Sequence, residues 1–193
     1  MTPYDATGRG TMPTAGACEV GRAAQERDPA FVTIDNATLM YPHLLTPTTF
    51  RGRGPEYYGC CLGVPKDDRA TIDRLYAAVR VAIDRYVKFC NVNFGRPYRN
   101  DAAEDDEFVK LFPTTIHNGE LEHPGDARYA PYILVNCKTY EPPNVVDANC
   151  QPITDPAAVQ HGMMCRATVW FGVYTYQSKC GVKCTLTDVQ IFD

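Results

Sequence analysis

Only one stretch of this chain carries a helical period. Ile72, Leu75, Tyr76, Val79, Ile83, Tyr86 and Val87 recur at spacings of three and four, which places them on one face of a helix. Asp67 or Asp68 can cap its start, because a short carboxylate accepts the free backbone N–H groups there. The opposite face carries Arg69, Asp73, Arg74, Arg80, Asp84, Arg85 and Lys88 and reads as a solvated surface. The remaining ordered segments are short, alternating and bounded by Gly and Pro. One substantial helix among about five such segments predicts a mainly β fold, a small closed β-barrel with long loops.

The strands are expected at Phe31 to Met40, Tyr57 to Val64, Tyr132 to Lys138, Cys165 to Tyr176 and Val182 to Ile191. The first should end at Tyr41-Pro42, before a Gly- and Pro-rich loop from Thr46 to Pro55. Residues 91–128 read as a long irregular connection. Residues 1–29, rich in Gly, Thr, Ala and Pro, read as a flexible N-terminal arm, which leaves 30–193 as one domain. No internal repeat is present.

Composition narrows the class. Hydrophobic residues make up 45% of the chain and charged residues 22%, ordinary values for a globular protein rather than a disordered one. No apolar run approaches the roughly 18 residues of a membrane span, and the N-terminus carries no apolar core of a signal peptide. Of nine cysteines, several sit inside apolar runs, so they are read as reduced core thiols, and Asn36-Ala-Thr38 as a chance glycosylation match. The net charge of −4 is uneven: residues 101–126 hold eight acids against Lys110 alone, and the rest of the chain is mildly basic.

Catalytic signatures are missing. The sequence has no G-x-x-x-x-G-K-[ST], G-x-G-x-x-G, G-x-S-x-G or H-E-x-x-H motif, so no enzyme is expected and no cofactor is implied. Zinc could draw on Cys180-x3-Cys184 with Cys60-Cys61 or with His161-x3-Cys165, but C-x2-C spacing is lacking and no metal is expected. Four consecutive acids at Glu104 to Glu107 are read as solvated rather than metal-binding.

Aromatic and basic residues interleave instead. On the strand from Cys165 to Tyr176, Ala167, Val169, Phe171 and Val173 form a core face. Arg166, Thr168, Trp170, Tyr174 and Tyr176 fall on the other. The mixture recurs at Phe50, Arg51 and Arg53 with Tyr57 and Tyr58, at Arg96, Tyr98 and Arg99, at Lys138 and Tyr140, and at Lys179 and Lys183. Bases of a single strand stack on such rings while Arg and Lys follow the phosphates, so these sixteen positions, Thr168 aside, are the candidate nucleic-acid contacts. A second reading keeps the aromatic face for a protein partner, as in a structural or interaction module.

The order of features resembles a family, the bacteriophage single-stranded DNA-binding proteins with an OB fold. The pieces that carry the resemblance begin with Met40-Tyr-Pro42, Tyr57 to Val64 with Pro65-Lys-Asp67, and Arg96-Pro-Tyr-Arg-Asn-Asp101. They continue through Tyr132 to Lys138, Pro143-Asn-Val-Val-Asp147, Pro152-Ile-Thr-Asp155, Gly162 to Phe171 and Gly181 to Gln190. The resemblance implies an OB-like barrel and non-sequence-specific binding of single-stranded DNA in phage replication, recombination or repair. It implies the cytoplasm of an infected bacterium, with phage replication or recombination proteins as partners and a homo-oligomer left open, and no membrane. The ending Gln190-Ile-Phe-Asp193 departs from the strongly acidic tail frequent in proteins of this function.

Overall fold

The computed structural model describes residues 28–94, 105–177 and 179–192. The predicted arm lies almost wholly outside them, as do Arg96, Tyr98 and Arg99. Seven strands form a single sheet: β1 (Phe31–Phe50), β2 (Arg53–Pro65), β3 (Ile116–Asn118), β4 (Tyr132–Thr139), β5 (Asn144–Val146), β6 (Met164–Tyr176) and β7 (Lys179–Phe192). The long helix α1 (Arg69–Phe94) follows β2, and the short helices α2 (Asp106–Val109) and α3 (Gly119–Glu122) flank β3.

The mainly β class with one substantial helix is what the sequence predicts. The strand count is larger, because β3 and β5 have three residues each, too few to show a period. β3, α2 and α3 also break up the connection expected to be irregular. β1 runs on through Pro42 and Pro47 rather than stopping. Its pairing with β2 shifts register between Met40 and His43 and again between His43 and Thr48, so each proline, which has no N–H, sits at an irregularity of the ladder. Arg51 and Gly52, both at positive φ (51° and 73°), make the two-residue turn into β2.

Helix α1 is capped by Asp68, whose Oδ1 accepts the Thr71 N–H at 3.1 Å. It buries Ile72, Leu75, Val79, Ile83 and Val87 against the sheet, while Tyr76, expected on that face, is exposed. Val32, Ile34, Leu62, Val135, Val169, Phe171 and Leu186 complete one continuous core.

The sheet order is β3-β4-β2-β1-β6-β7-β5, a line rather than a ring. The expected closure would join β4 to β7, and no ladder runs between them. Residues 113–118 occupy that seam: Asn136 donates to the Thr115 carbonyl (2.9 Å) and Val182 to the Pro113 carbonyl (2.8 Å). On the core side, Cys137 Sγ and Cys184 Sγ meet at 3.4 Å. The closed barrel expected from the sequence is therefore not formed: the sheet stays open, with Pro113 and Thr115 bonded to β7 and β4 at the seam.

Seven cysteines are free and all but Cys180 are buried, as expected of core thiols. Cys150 is the correction, being disulfide-bonded. Burial pushes the Cys61 thiol up to about 12. A hydrogen bond with Cys137, then burial, holds the Cys60 thiol well above its ordinary range.

Candidate nucleic-acid interface

Strand pairing assembles the first cluster. β6 and β7 oppose Trp170 to Thr185, Gly172 to Lys183, Tyr174 to Gly181 and Tyr176 to Lys179. Directly paired residues share a face, so Trp170, Tyr174, Tyr176, Lys179 and Lys183 stand together on the outside of this hairpin. Phe171, between them in sequence, is fully buried, so the predicted alternation is realised. Tyr174 is 42% and Tyr176 68% exposed.

The glycines of the hairpin shape this face. A Cβ at Gly172 would lie 2.3 Å from Trp170 Cη2, so the indole rests flat over the glycine. A Cβ at Gly181 would lie 2.9 Å from Tyr174 Cε1 in the same way. Lys183 Nζ approaches the indole centroid at 5.9 Å. The Asp28 carboxylate lies near the indole, and the Arg85 guanidinium beside it (2.6 Å) holds that carboxyl below its usual range.

A second cluster forms at the β1–β2 turn. Tyr57 and Lys138 face outward on adjacent strands, and Lys138 Nζ lies 4.7 Å from the Tyr57 centroid and 4.9 Å from that of Tyr140. Phe50 is 66% exposed, with the Arg51 guanidinium 5.2 Å from its ring. Arg53 stands exposed opposite Phe50. Tyr58, half-buried, falls on the face of Cys60, away from Tyr57. The two clusters meet at the seam: Cys137 and Cys184 touch on the core side, so Lys138 and Lys183, their sequence neighbours, point outward on either side of it.

Arg166 stands apart. Its Nε donates to Asp35 Oδ1 at 2.8 Å and a terminal nitrogen to Gln190 Oε1 at 3.4 Å, with its side chain only 15% exposed. The structure places it in an ion pair with the sheet rather than beside Trp170.

The sequence did not point to a third group. Tyr41, at φ 49° and 53% exposed, shares a hydroxyl–hydroxyl hydrogen bond with Tyr129 and packs 5.1 Å from the His161 ring. His123 stacks on Tyr129 at 4.0 Å, and Arg128 lies 5.7 Å from the Tyr129 ring. These five residues are scattered over 120 positions, so no local pattern could reveal them.

Five acids among the described residues of the acidic segment have a basic side chain within ion-pair distance. Asp106 pairs with Arg80, Glu107 with Lys110, Glu120 with Lys66, Glu122 with His117 and Asp126 with Arg128. The Arg128 guanidinium holds the Asp126 carboxyl down at about 2. Among the described residues, no group of three or more His, Cys, Asp or Glu is arranged to hold a metal ion. No helix among them is long and apolar enough to cross a membrane.

Comparison with known proteins adds an independent finding. The chain has the fold of the single-stranded DNA-binding protein from bacteriophage Enc34 in complex with ssDNA, at a TM-score of 0.61 and 15% identity, over 84% of this chain and 85% of that one. A C-terminal truncation of the Enc34 protein gives 0.60 at 15% identity, over 85% and 86% of the two chains. The gp2.5 single-stranded DNA-binding protein encoded by bacteriophage T7 gives 0.56 at 15% identity, over 84% and 91%. No curated protein matches the sequence. The family described as Enterobacter phage Enc34, ssDNA-binding protein, matches residues 30–193, the whole of the expected domain, and the chain belongs to that family.

Proposed function

We propose that this protein binds single-stranded DNA without sequence specificity, in the cytoplasm of a phage-infected bacterium, and performs no catalysis of its own. Its service is to phage DNA replication, recombination or repair. The observation that carries the reading is the outer face of the β6–β7 hairpin, where Trp170, Tyr174 and Tyr176 stand beside Lys179 and Lys183. Rings on a rigid hairpin stack with any base, at roughly 1–3 kcal/mol each, and the lysines meet the phosphates whatever the sequence. The Tyr57–Lys138–Tyr140 cluster continues that face across the seam, in what we read as an OB-like barrel. Membership of the Enc34 family and the shared fold with phage single-stranded DNA-binding proteins support the same reading.

A titration of the full chain with oligo-dT and with a duplex of equal length, at several salt concentrations, tests it. Preference for the single strand, weakening as salt rises, is the expected outcome. Equal affinity for duplex, or no binding to either, overturns it.

A further inference from the structure

A cleft of about 320 Å³ opens between α1 and β6, with Trp170 in its lining. Ala82, Phe171 and Val173 line its apolar interior, and Arg85, Phe89 and Thr175 its rim. Its size falls in the range of roughly 300–1,000 Å³ usual for small-ligand sites. Phe89, 56% exposed and 6.0 Å from the Phe94 ring, lines the cleft together with Tyr86 and Trp170.

The strand edge here is open. β1 reaches β6 only as far as Phe31 opposite Trp170, and its last bond is the Phe171 N–H to the Ala30 carbonyl at 3.0 Å. Phe31 donates to the Asp28 carbonyl at 3.0 Å, a turn at the start of β1. Past that point β6 pairs only with β7 among the described residues. Alternation aims the backbone N–H and C=O of Val173 and Thr175 at the side Phe171 used, which is the side of the cleft. A residue on such an edge offers a donor and an acceptor side by side, the complement of a nucleobase edge.

We propose that this cleft takes one nucleobase of the bound single strand, inserted between Phe89 and Trp170 and held at its edge by the β6 backbone. The inference rests on the proposed binding of single-stranded DNA and extends it to a site on the helix side. Three observations favour a base over an added peptide strand. The open edge aims only two residues at the cleft, too few for a ladder. Tyr86, Phe89 and Trp170 make its walls aromatic. Trp170 is shared between the cleft and the stacking face, so a strand leaving Lys183 and Trp170 arrives at it directly.

The test uses the full chain and oligo-dT. Phe89→Ala should weaken binding about tenfold, a loss of about 1.4 kcal/mol, within the worth of one stacked base. Phe89→Trp should retain it. In the unaltered protein, oligo-dT carrying 5-iododeoxyuridine should cross-link on irradiation at Phe89 itself, located by fragment sequencing apart from Tyr98 of the same tryptic peptide, which does not depend on any variant folding. Wild-type affinity in Phe89→Ala, with no cross-link at Phe89, overturns the inference while leaving single-strand binding intact. Capture of a peptide in the cleft, with oligo-dT affinity unchanged in Phe89→Ala, overturns it in favour of a protein partner. Failure of the unaltered protein to bind oligo-dT removes both the inference and the function beneath it.

Discussion

Lys138 Nζ lies between two tyrosine rings, 4.7 Å from the centroid of Tyr57 and 4.9 Å from that of Tyr140. Among the described residues no carboxylate pairs with the ammonium, which leaves its charge for a phosphate. Tyr140, 62% exposed, keeps one face open to a base. Lys138→Gln should lower oligo-dT affinity a fewfold and make it less sensitive to salt. Tyr140→Ala should lower affinity by about 1–3 kcal/mol without altering the salt slope. Parallel salt titrations of the two variants separate charge from stacking.

The β1–β2 turn supplies a second electrostatic test. Arg51 and Arg53 are exposed at the tip of the hairpin, and the turn itself is formed by backbone at positive φ. Each phosphate they neutralise adds about 0.7 to the slope of log affinity against log salt. Reversing both to Glu should weaken binding to every single-stranded sequence alike and flatten the salt slope by about 1.4. An unequal loss among oligo-dT, oligo-dA and mixed sequences would mean that the turn reads bases.

What the sequence made legible here is what depends on near neighbours. The alternation from Cys165 to Tyr176 predicted both faces of β6, and the period from Ile72 to Val87 predicted the buried stripe of α1 except for Tyr76. What stayed hidden depends on partners far along the chain. Arg166 shares a face with Trp170 in any alternating strand, yet Asp35, 131 residues away, claims its guanidinium. Arg85 reads as a member of a solvated helix face and Phe89 belongs to neither stripe, and only the packing of α1 beside β6 lines one cleft with both of them and Trp170. The strand through Pro42 and Pro47 was hidden for a different reason: each proline signals a stop, and only cross-strand register shows that the ladder skips it.

The Asp28–Arg85 pair makes an acid-side prediction. Asp28 has its carboxyl held below the ordinary 3.8 by the Arg85 hydrogen bond, so it is more acidic folded than unfolded. A depressed folded value contributes stability that is in full force above about 3.8 and is lost as pH falls through the folded value. Protonation also removes a negative charge beside the indole. Trp170 emission should therefore be constant from pH 7 to about 5 and shift below 3.8. Asp28→Asn should abolish that acid shift, and a persistent shift in the variant would assign it to other carboxyls.

Trp170 and Gly172 give the most direct check on the face as a whole. The indole is half-buried and lies over a glycine whose Cβ, if present, would stand 2.3 Å from Cη2 and 2.4 Å from Cζ3. Those ring atoms form the far end of a side chain, so Gly172→Ala should swing the indole outward rather than break the sheet. Its cost to stability should stay at the low end of the roughly 1–3 kcal/mol of overpacking. Oligo-dT should quench Trp170 emission in the unaltered protein, and Gly172→Ala should weaken both quenching and affinity. Trp170→Ala should cost about 1–3 kcal/mol of binding. Because the ring is only half-buried, the stability loss should fall below the roughly 3–5 kcal/mol of a fully buried aromatic. A Trp170→Ala protein that binds normally but melts far earlier would show that this ring is core, and would move the binding face elsewhere on the sheet.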